Sequence, residues 1–144
     1  MKIEKNNQGF TLLEVMVVIV ILGLIASVVV PNLLGSQERA NEQKAAIDVG
    51  TLETSLTRYK MDNYKIPSTE QGLEALVSET DIEPLPRRFP EGGYITRLPQ
   101  DPWGNEYQLL NPGEQGAVDI FSMGPDGEAG TDDDIGNWNL NDYR

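Results

Sequence analysis

The 144-residue chain contains no cysteine and no histidine. Without cysteine no disulfide can staple a small head, so a domain held outside the cytoplasm needs another means of fixing its loops. Without histidine the commonest general base and zinc ligand is missing, and carboxylates are the only abundant acid–base groups. Basic residues are scarce as well. Lys and Arg number 11 against 23 Asp and Glu, giving a net charge of −12. Such a surface repels nucleic acid and anionic lipid headgroups and favours cations, so no nucleic-acid partner is expected. The length suits one small domain plus one membrane helix.

The first of the features present is an apolar run over 10–30, in which Glu14 is the one charge. As a helix it spans roughly 30 Å, the hydrocarbon thickness of a bilayer. It is too long for the apolar core of a signal peptide, and no small-x-small cleavage pattern follows Val28. It is apolar all round, which a surface-packed core helix is not, and the remaining chain is too small to wrap it. A plain signal anchor fits the composition but leaves Glu14 unexplained. A carboxylate in such a segment costs on the order of 2.5 kcal/mol or more and marks a functional site.

Ahead of the run stands Gly9-Phe10-Thr11-Leu12-Leu13-Glu14, preceded by a short polar leader with Lys2 and Lys5. This string resembles the N-terminus of type IV pilin-like proteins. The resemblance implies that a prepilin peptidase cuts between Gly9 and Phe10 and methylates the new Phe10 amine, with Glu14 serving filament assembly. It divides the chain into a cleaved leader (1–9), a transmembrane and filament-core helix (10–30) and a periplasmic head (31–144). Physics then supplies a partner for the acid. The cut creates an ammonium at Phe10, and the Glu14 of a neighbouring subunit neutralises it if copies pack with an axial stagger. The lysines favour a cytoplasmic N-terminus, although Arg39 and Lys44 beyond the run weaken that bias.

Beyond the apolar run, Pro31 removes a helix hydrogen bond and is expected to bend the helix. Helical periodicity resumes at once. Ala45, Val49, Leu52, Leu56 and Tyr59 step by four, three, four and three, one apolar stripe, with Arg39, Glu42, Asp48, Glu53, Arg58 and Lys60 opposite. One long helix over about 10–62 is expected, roughly 80 Å in length. Ser68 or Thr69 is placed to cap a short helix over 70–78 with Leu73, Leu76 and Val77 inward. The stretch 79–93, with its prolines and Gly92-Gly93, reads as a loop. Strands are expected over 94–96, 106–110 and 117–122, the last two joined by a hairpin turn through Asn111-Pro112-Gly113. Trp103, in the turn Asp101-Pro102-Trp103-Gly104, is expected on the core of the head. The fold class is α+β: a long N-terminal helix, half membrane and half amphipathic, packed on a small C-terminal antiparallel sheet.

The dense acidic stretch is Gly124-Pro125-Asp126-Gly127-Glu128-Ala129-Gly130-Thr131-Asp132-Asp133-Asp134-Ile135-Gly136. Its glycines let the backbone turn tightly, and its oxygens suit Ca²⁺. It lacks the spacing and closing glutamate of an EF-hand. The residues alone read equally as a solvated acidic loop or as a hard-cation site.

Three further strings bear on this. They are Tyr59-Lys60-Met61-Asp62-Asn63 running on to Pro67-Ser68-Thr69-Glu70-Gln71-Gly72-Leu73, then Leu98-Pro99-Gln100-Asp101-Pro102-Trp103-Gly104, then Asp119-Ile120-Phe121-Ser122-Met123-Gly124-Pro125-Asp126-Gly127. With the N-terminal motif they resemble the major pseudopilins of type II secretion systems over nearly the whole chain. The resemblance implies a pilin-like fold whose acidic loop binds Ca²⁺. Carboxylates would come from Asp126, Asp133 and Asp134, main-chain carbonyls from Met123 and Glu128, and a carbonyl or hydroxyl from Thr131. It also implies a structural subunit, not an enzyme, that forms a filament with copies of itself and helps export folded proteins through the outer membrane. Minor pseudopilins, the prepilin peptidase, and an inner-membrane assembly platform with its ATPase would be its partners. The expected location is the inner membrane, single-pass, with the head periplasmic. A minor pseudopilin or a type IV pilin is the alternative within the family, though many pilins carry a C-terminal disulfide that this chain cannot form. A membrane-tethered hydrolase using paired carboxylates is the remote alternative.

Overall fold

The structure is a computed structural model that describes residues 9–143, with the side chains of 29–34 outside that description. Leader residues 1–8 and the surroundings of the bend expected at Pro31 therefore lie outside the described residues. Helix α1 (Leu12–Asn63) is the one long element. The chain divides into two compact units, Met1–Glu38 and Arg39–Arg144.

In the first unit α1 begins two residues later than the periodicity suggested, because Thr11 caps it. The Thr11 hydroxyl accepts the Glu14 N–H at 3.2 Å, satisfying one of the free donors of the first turn. From Phe10 to Val28 the large apolar side chains all face outward, between 47% and 85% exposed. The Ser27 hydroxyl donates back to the Leu24 carbonyl at 2.7 Å, so it asks nothing of the surroundings. Among the described residues no helix is long and apolar enough to cross a membrane. Only 12–28 of the apolar run is described with its side chains.

In the second unit the stripe on α1 is the floor of the core. Ala45, Val49, Leu52, Leu56 and Tyr59 are all buried, joined by Leu73, Leu76, Tyr94, Tyr107, Leu109 and Ile120. Each fully buried side chain of this size contributes about 1.5–3 kcal/mol. Above it lies a three-stranded antiparallel sheet in the order β1 (Gln108–Leu110), β2 (Asp119–Ser122), β3 (Ile135–Gly136). Register pairs Leu109 with Ile120 and Ser122 with Ile135. Strand β2 is buried along its whole length. Ile120 belongs to the core cluster, while the Phe121 ring packs on Trp138 from the tail at 5.7 Å.

Several local expectations are corrected. Residues 94–96 form no strand, because the Tyr94 and Ile95 N–H groups both donate to the Leu76 carbonyl. Gly93 allows that approach. It sits at φ +78°, where an added Cβ would come within 2.7 Å of the Val77 carbonyl oxygen. The helix expected over 70–78 shrinks to one 3-10 turn, Leu73–Leu76. Ser68 does not cap it: the 3-10 turn starts at Gly72 without a side-chain cap bond, and Ser68 instead closes the turn before it by exchanging bonds with Gln71 (Gln71 N–H to Ser68 Oγ 3.2 Å, Ser68 N–H to Gln71 Oε1 2.8 Å). Gly72, at φ +64°, breaks the turn that follows. Trp103 is only partly buried and stands outside the core cluster. Its neighbour Asp101 anchors the turn instead, accepting the Trp103 and Asn105 N–H groups. The 106–110 strand shortens to 108–110, the 117–122 strand to 119–122, and β3 was not expected at all.

Candidate functional site

At the start of α1, Gly9 and Phe10 are exposed, so the bond between them is open to a peptidase. Glu14 is exposed too, three residues after the capping Thr11. An acid in the first turn suits the helix dipole, which accounts for part of its presence there. Among the described residues its carboxylate forms no hydrogen bond or ion pair. The described residues thus leave this charge unmatched in the first turn of an exposed apolar helix.

The acidic loop is held by its own backbone. Asp126 Oδ1 accepts the Glu128 N–H at 2.8 Å. Asp133 accepts the Thr131 hydroxyl on one oxygen and the Asp126 N–H, at 3.3 Å, on the other. The Thr131 hydroxyl also lies 3.1 Å from the Glu128 carbonyl oxygen. Asp134 is buried, 7% exposed, and its Oδ2 accepts the Gly130 N–H at 2.7 Å. Its other oxygen, Oδ1, is buried without a hydrogen-bond partner among the described residues. Burial pushes the Asp134 carboxyl up, and the neighbouring charges of Asp133 and Asp126 add to this against the Gly130 bond. The Thr131 hydroxyl holds Asp133 below the usual carboxylate range. Met123 and Gly124 continue from the end of β2, with the Gly124 N–H bound to Ser122 Oγ.

All six expected ligand residues therefore lie on one loop between β2 and β3, and Asp126, Glu128, Thr131 and Asp133 are bonded into one network. Among the described residues no three acidic side chains converge closely enough to hold a metal ion. The orphaned Asp134 oxygen is nevertheless what a cation would satisfy, since buried carboxylate oxygens are rarely left unpaired. Asp119, which composition groups with this acidic tail, has another task. Its carboxylate accepts the N–H groups of Glu114, Gln115 and Gly116 at 2.6–2.9 Å and so closes the β1–β2 hairpin.

Sequence reasoning missed the polar hub at the other end of α1. Asn63 is fully buried. Its amide donates to the Tyr59 carbonyl at 3.1 Å and to the Tyr94 hydroxyl at 3.0 Å, and its oxygen accepts the Arg88 N–H at 2.8 Å. The Tyr94 hydroxyl reaches Asp62 Oδ2 and the Arg88 carbonyl, both at 3.1 Å. The loop 79–93 is thereby tied to the last turn of α1. Gln71 ties it a second time, donating to the Ile82 and Pro84 carbonyls. The Asp62-Asn63 pair, quoted above only as part of a resemblance, was the available signal.

A helix with exposed apolar side chains in its first half, and a small antiparallel sheet wrapped on its second, defines a pilin-type protein. The sequence pattern described as the prokaryotic N-terminal methylation motif matches residues 5–30, and that of type II secretion system (T2SS), protein G, matches 32–138. The type II secretion system core protein G of Aeromonas hydrophila is 63% identical over 141 residues, 98% of this chain and 99% of that protein. The protein of the same name from Vibrio cholerae is 56% identical over the full length of both. The crystal structure of the major pseudopilin from the type 2 secretion system of enterohaemorrhagic Escherichia coli superposes with a TM-score of 0.72. It is 56% identical and covers 78% of this chain and 95% of its own. The chain belongs to the protein G family of type II secretion systems, the major pseudopilins. These are structural components of the secretion machinery, and the methylation motif implies a membrane-anchored periplasmic pilin.

Proposed function

We propose that this chain is the major structural subunit of a type II secretion pseudopilus and has no catalytic activity of its own. Copies pack through their apolar helices into a filament rooted in the inner membrane, with the leader side cytoplasmic and the heads periplasmic. Growth of the filament, powered by a cytoplasmic ATPase through an inner-membrane platform, drives folded proteins across the outer membrane. Minor pseudopilins share the assembly, and the prepilin peptidase prepares each subunit by cutting after Gly9 and methylating Phe10. A contact between unlike surfaces whose rotation does not close into a ring generates a helical filament when repeated.

The observation that carries this reading is the Glu14 carboxylate, without a partner among the described residues, on an outward-facing apolar helix. Each charge is costly in lipid, and pairing Glu14 with the Phe10 amine of the next subunit removes both costs together. In the head, Ca²⁺ would be held by the carboxylates of Asp126, Asp133 and Asp134, the main-chain carbonyls of Met123 and Glu128, and Thr131. The bound ion would clamp a loop that no disulfide can clamp. The orphaned Asp134 Oδ1 supports this assignment.

The test is overexpression with the secretion genes, read by electron microscopy of sheared filaments. The unsubstituted chain is expected to give filaments. Glu14→Leu is expected to insert in the membrane at normal levels and to give none. Normal filaments from Glu14→Leu would refute the pairing.

A further inference from the structure

We propose that the end of the head where α1 stops is a docking surface for the acidic end of a second copy of this chain. The inference rests on the filament reading above and adds a second contact, between heads.

The surface is built around Tyr64. This residue holds φ +60° although it is not glycine, and its side chain is 79% exposed. A bulky residue in the left-handed region is uncommon and strained. The Arg87 guanidinium lies over its ring, 5.6 Å from the centroid. Met61, one turn back on α1, is 72% exposed. Tyr, Arg and Met are the residues enriched at protein interfaces. The patch is preorganised from beneath, because the buried Asn63 fixes the backbone of Arg88 and with it the position of Arg87. Lys60, Lys65, Arg87 and Arg88 are exposed. Among the described residues the one ion pair is Lys44–Asp48, so none of these four cations is paired with a carboxylate there. Of the acids nearby, Asp62 is engaged by Tyr94 and Glu83 by the Leu85 N–H, leaving Asp81 and Glu91.

The occupant follows from charge and polarity. The C-terminal turn Leu140–Tyr143 packs beside Gln43, Ala46, Ile47 and Gly50, near the start of the head's stretch of α1. The Tyr143 hydroxyl is close enough to Glu42, Asp142 and Asp133 for their charges to raise its pKa beyond the effect of burial. Glu128, Asp132 and Asp142 are exposed and unpaired there. The basic end at Lys60 and the acidic end packed on 43–50 are thus separated along α1 by about 10–17 residues, roughly 15–25 Å. In a filament every copy points the same way, because one end of each is rooted in the membrane. The basic end of one head then meets the acidic end of a head displaced along the axis, and opposite potentials fix that register.

Two measurements on the full chain test this. Arg87→Glu with Arg88→Glu changes exposed side chains only. It is expected to cut filament yield at least tenfold while leaving head stability unchanged, and Asp132→Arg with Asp142→Arg is expected to restore it. Wild-type yield from the first pair, or a loss that the second pair fails to reverse, overturns the docking surface. Independently, carbodiimide treatment of unsubstituted filaments, which makes a zero-length link, is expected to join Lys60 or Lys65 to Glu128, Asp132 or Asp142 of another copy. Filaments whose links from these lysines run elsewhere overturn the docking surface and leave the subunit's function standing. No filaments at all from the unsubstituted chain would overturn both.

Discussion

Replacing Asn63 with alanine removes the hub that ties the loop 79–93 to α1. Three hydrogen bonds disappear, to the Tyr59 carbonyl, the Tyr94 hydroxyl and the Arg88 N–H, all at a fully buried position. Each such bond contributes about 1 kcal/mol net, and an orphaned buried partner adds its own desolvation cost. The Tyr59 carbonyl stays within the helix, so the main penalty falls on the Arg88 N–H and the Tyr94 hydroxyl. The expected loss is about 2–4 kcal/mol, or roughly 10–20 °C in melting temperature for a head of about 100 residues. Urea unfolding of a soluble fragment over 35–144 measures it as a fall in midpoint at constant slope. Tyr94→Phe removes the facing hydroxyl, and the double variant should cost less than the two singles summed, because they share one bond. A loss below about 0.5 kcal/mol for Asn63→Ala, or strict additivity with Tyr94→Phe, would show that the hub does not hold the loop.

Excess EGTA should lower the melting temperature of the calcium-equilibrated head, since an ion at one hundred times its dissociation constant adds about 2.7 kcal/mol. Asp134→Ala should abolish the difference, and an identical curve with and without chelator would remove the metal from the account. Stability should be flat from about pH 6 to 9, because the chain has no histidine. Above that range it should fall. Burial, and then the bond to Asp48, push the Tyr107 phenol above its ordinary value of 10. Its contribution is therefore complete below about pH 10 and is lost as pH rises further, by about 1.4 kcal/mol per pH unit. Tyr107→Phe should make that alkaline limb shallower. An equally steep limb in the variant would show that the phenol does not carry it.

The long-range plan was legible because it is periodic. The stripe from Ala45 to Tyr59 named the core face of α1 residue by residue, and the apolar run named the part of α1 whose side chains stay exposed. The hairpin was legible from its turn residues, although its clamp was not. Nothing in the composition says that Asp119 points inward to three backbone N–H groups while Asp126 and Asp132, a few residues on, point outward. Short elements failed where long-range partners overrode local propensity. Tyr94 and Ile95 have strand-forming side chains, but their N–H groups are taken by Leu76. Strand β3 is two residues long, too short for any alternation to show. In the acidic loop the residue types were legible and their division of labour was not. Among the described residues the one carboxylate oxygen left buried and unpaired belongs to Asp134, which the run Asp132-Asp133-Asp134 does not distinguish.

The account turns on the positive end that cleavage creates at Phe10 to match Glu14. The intact mass and N-terminal fragment spectrum of the protein isolated from membranes of a secretion-competent cell test it most directly. A chain beginning at N-methylated Phe10, with the first nine residues gone, is the predicted result. A chain beginning at Met1 with an unmodified terminus, recovered from the same membranes, would contradict it.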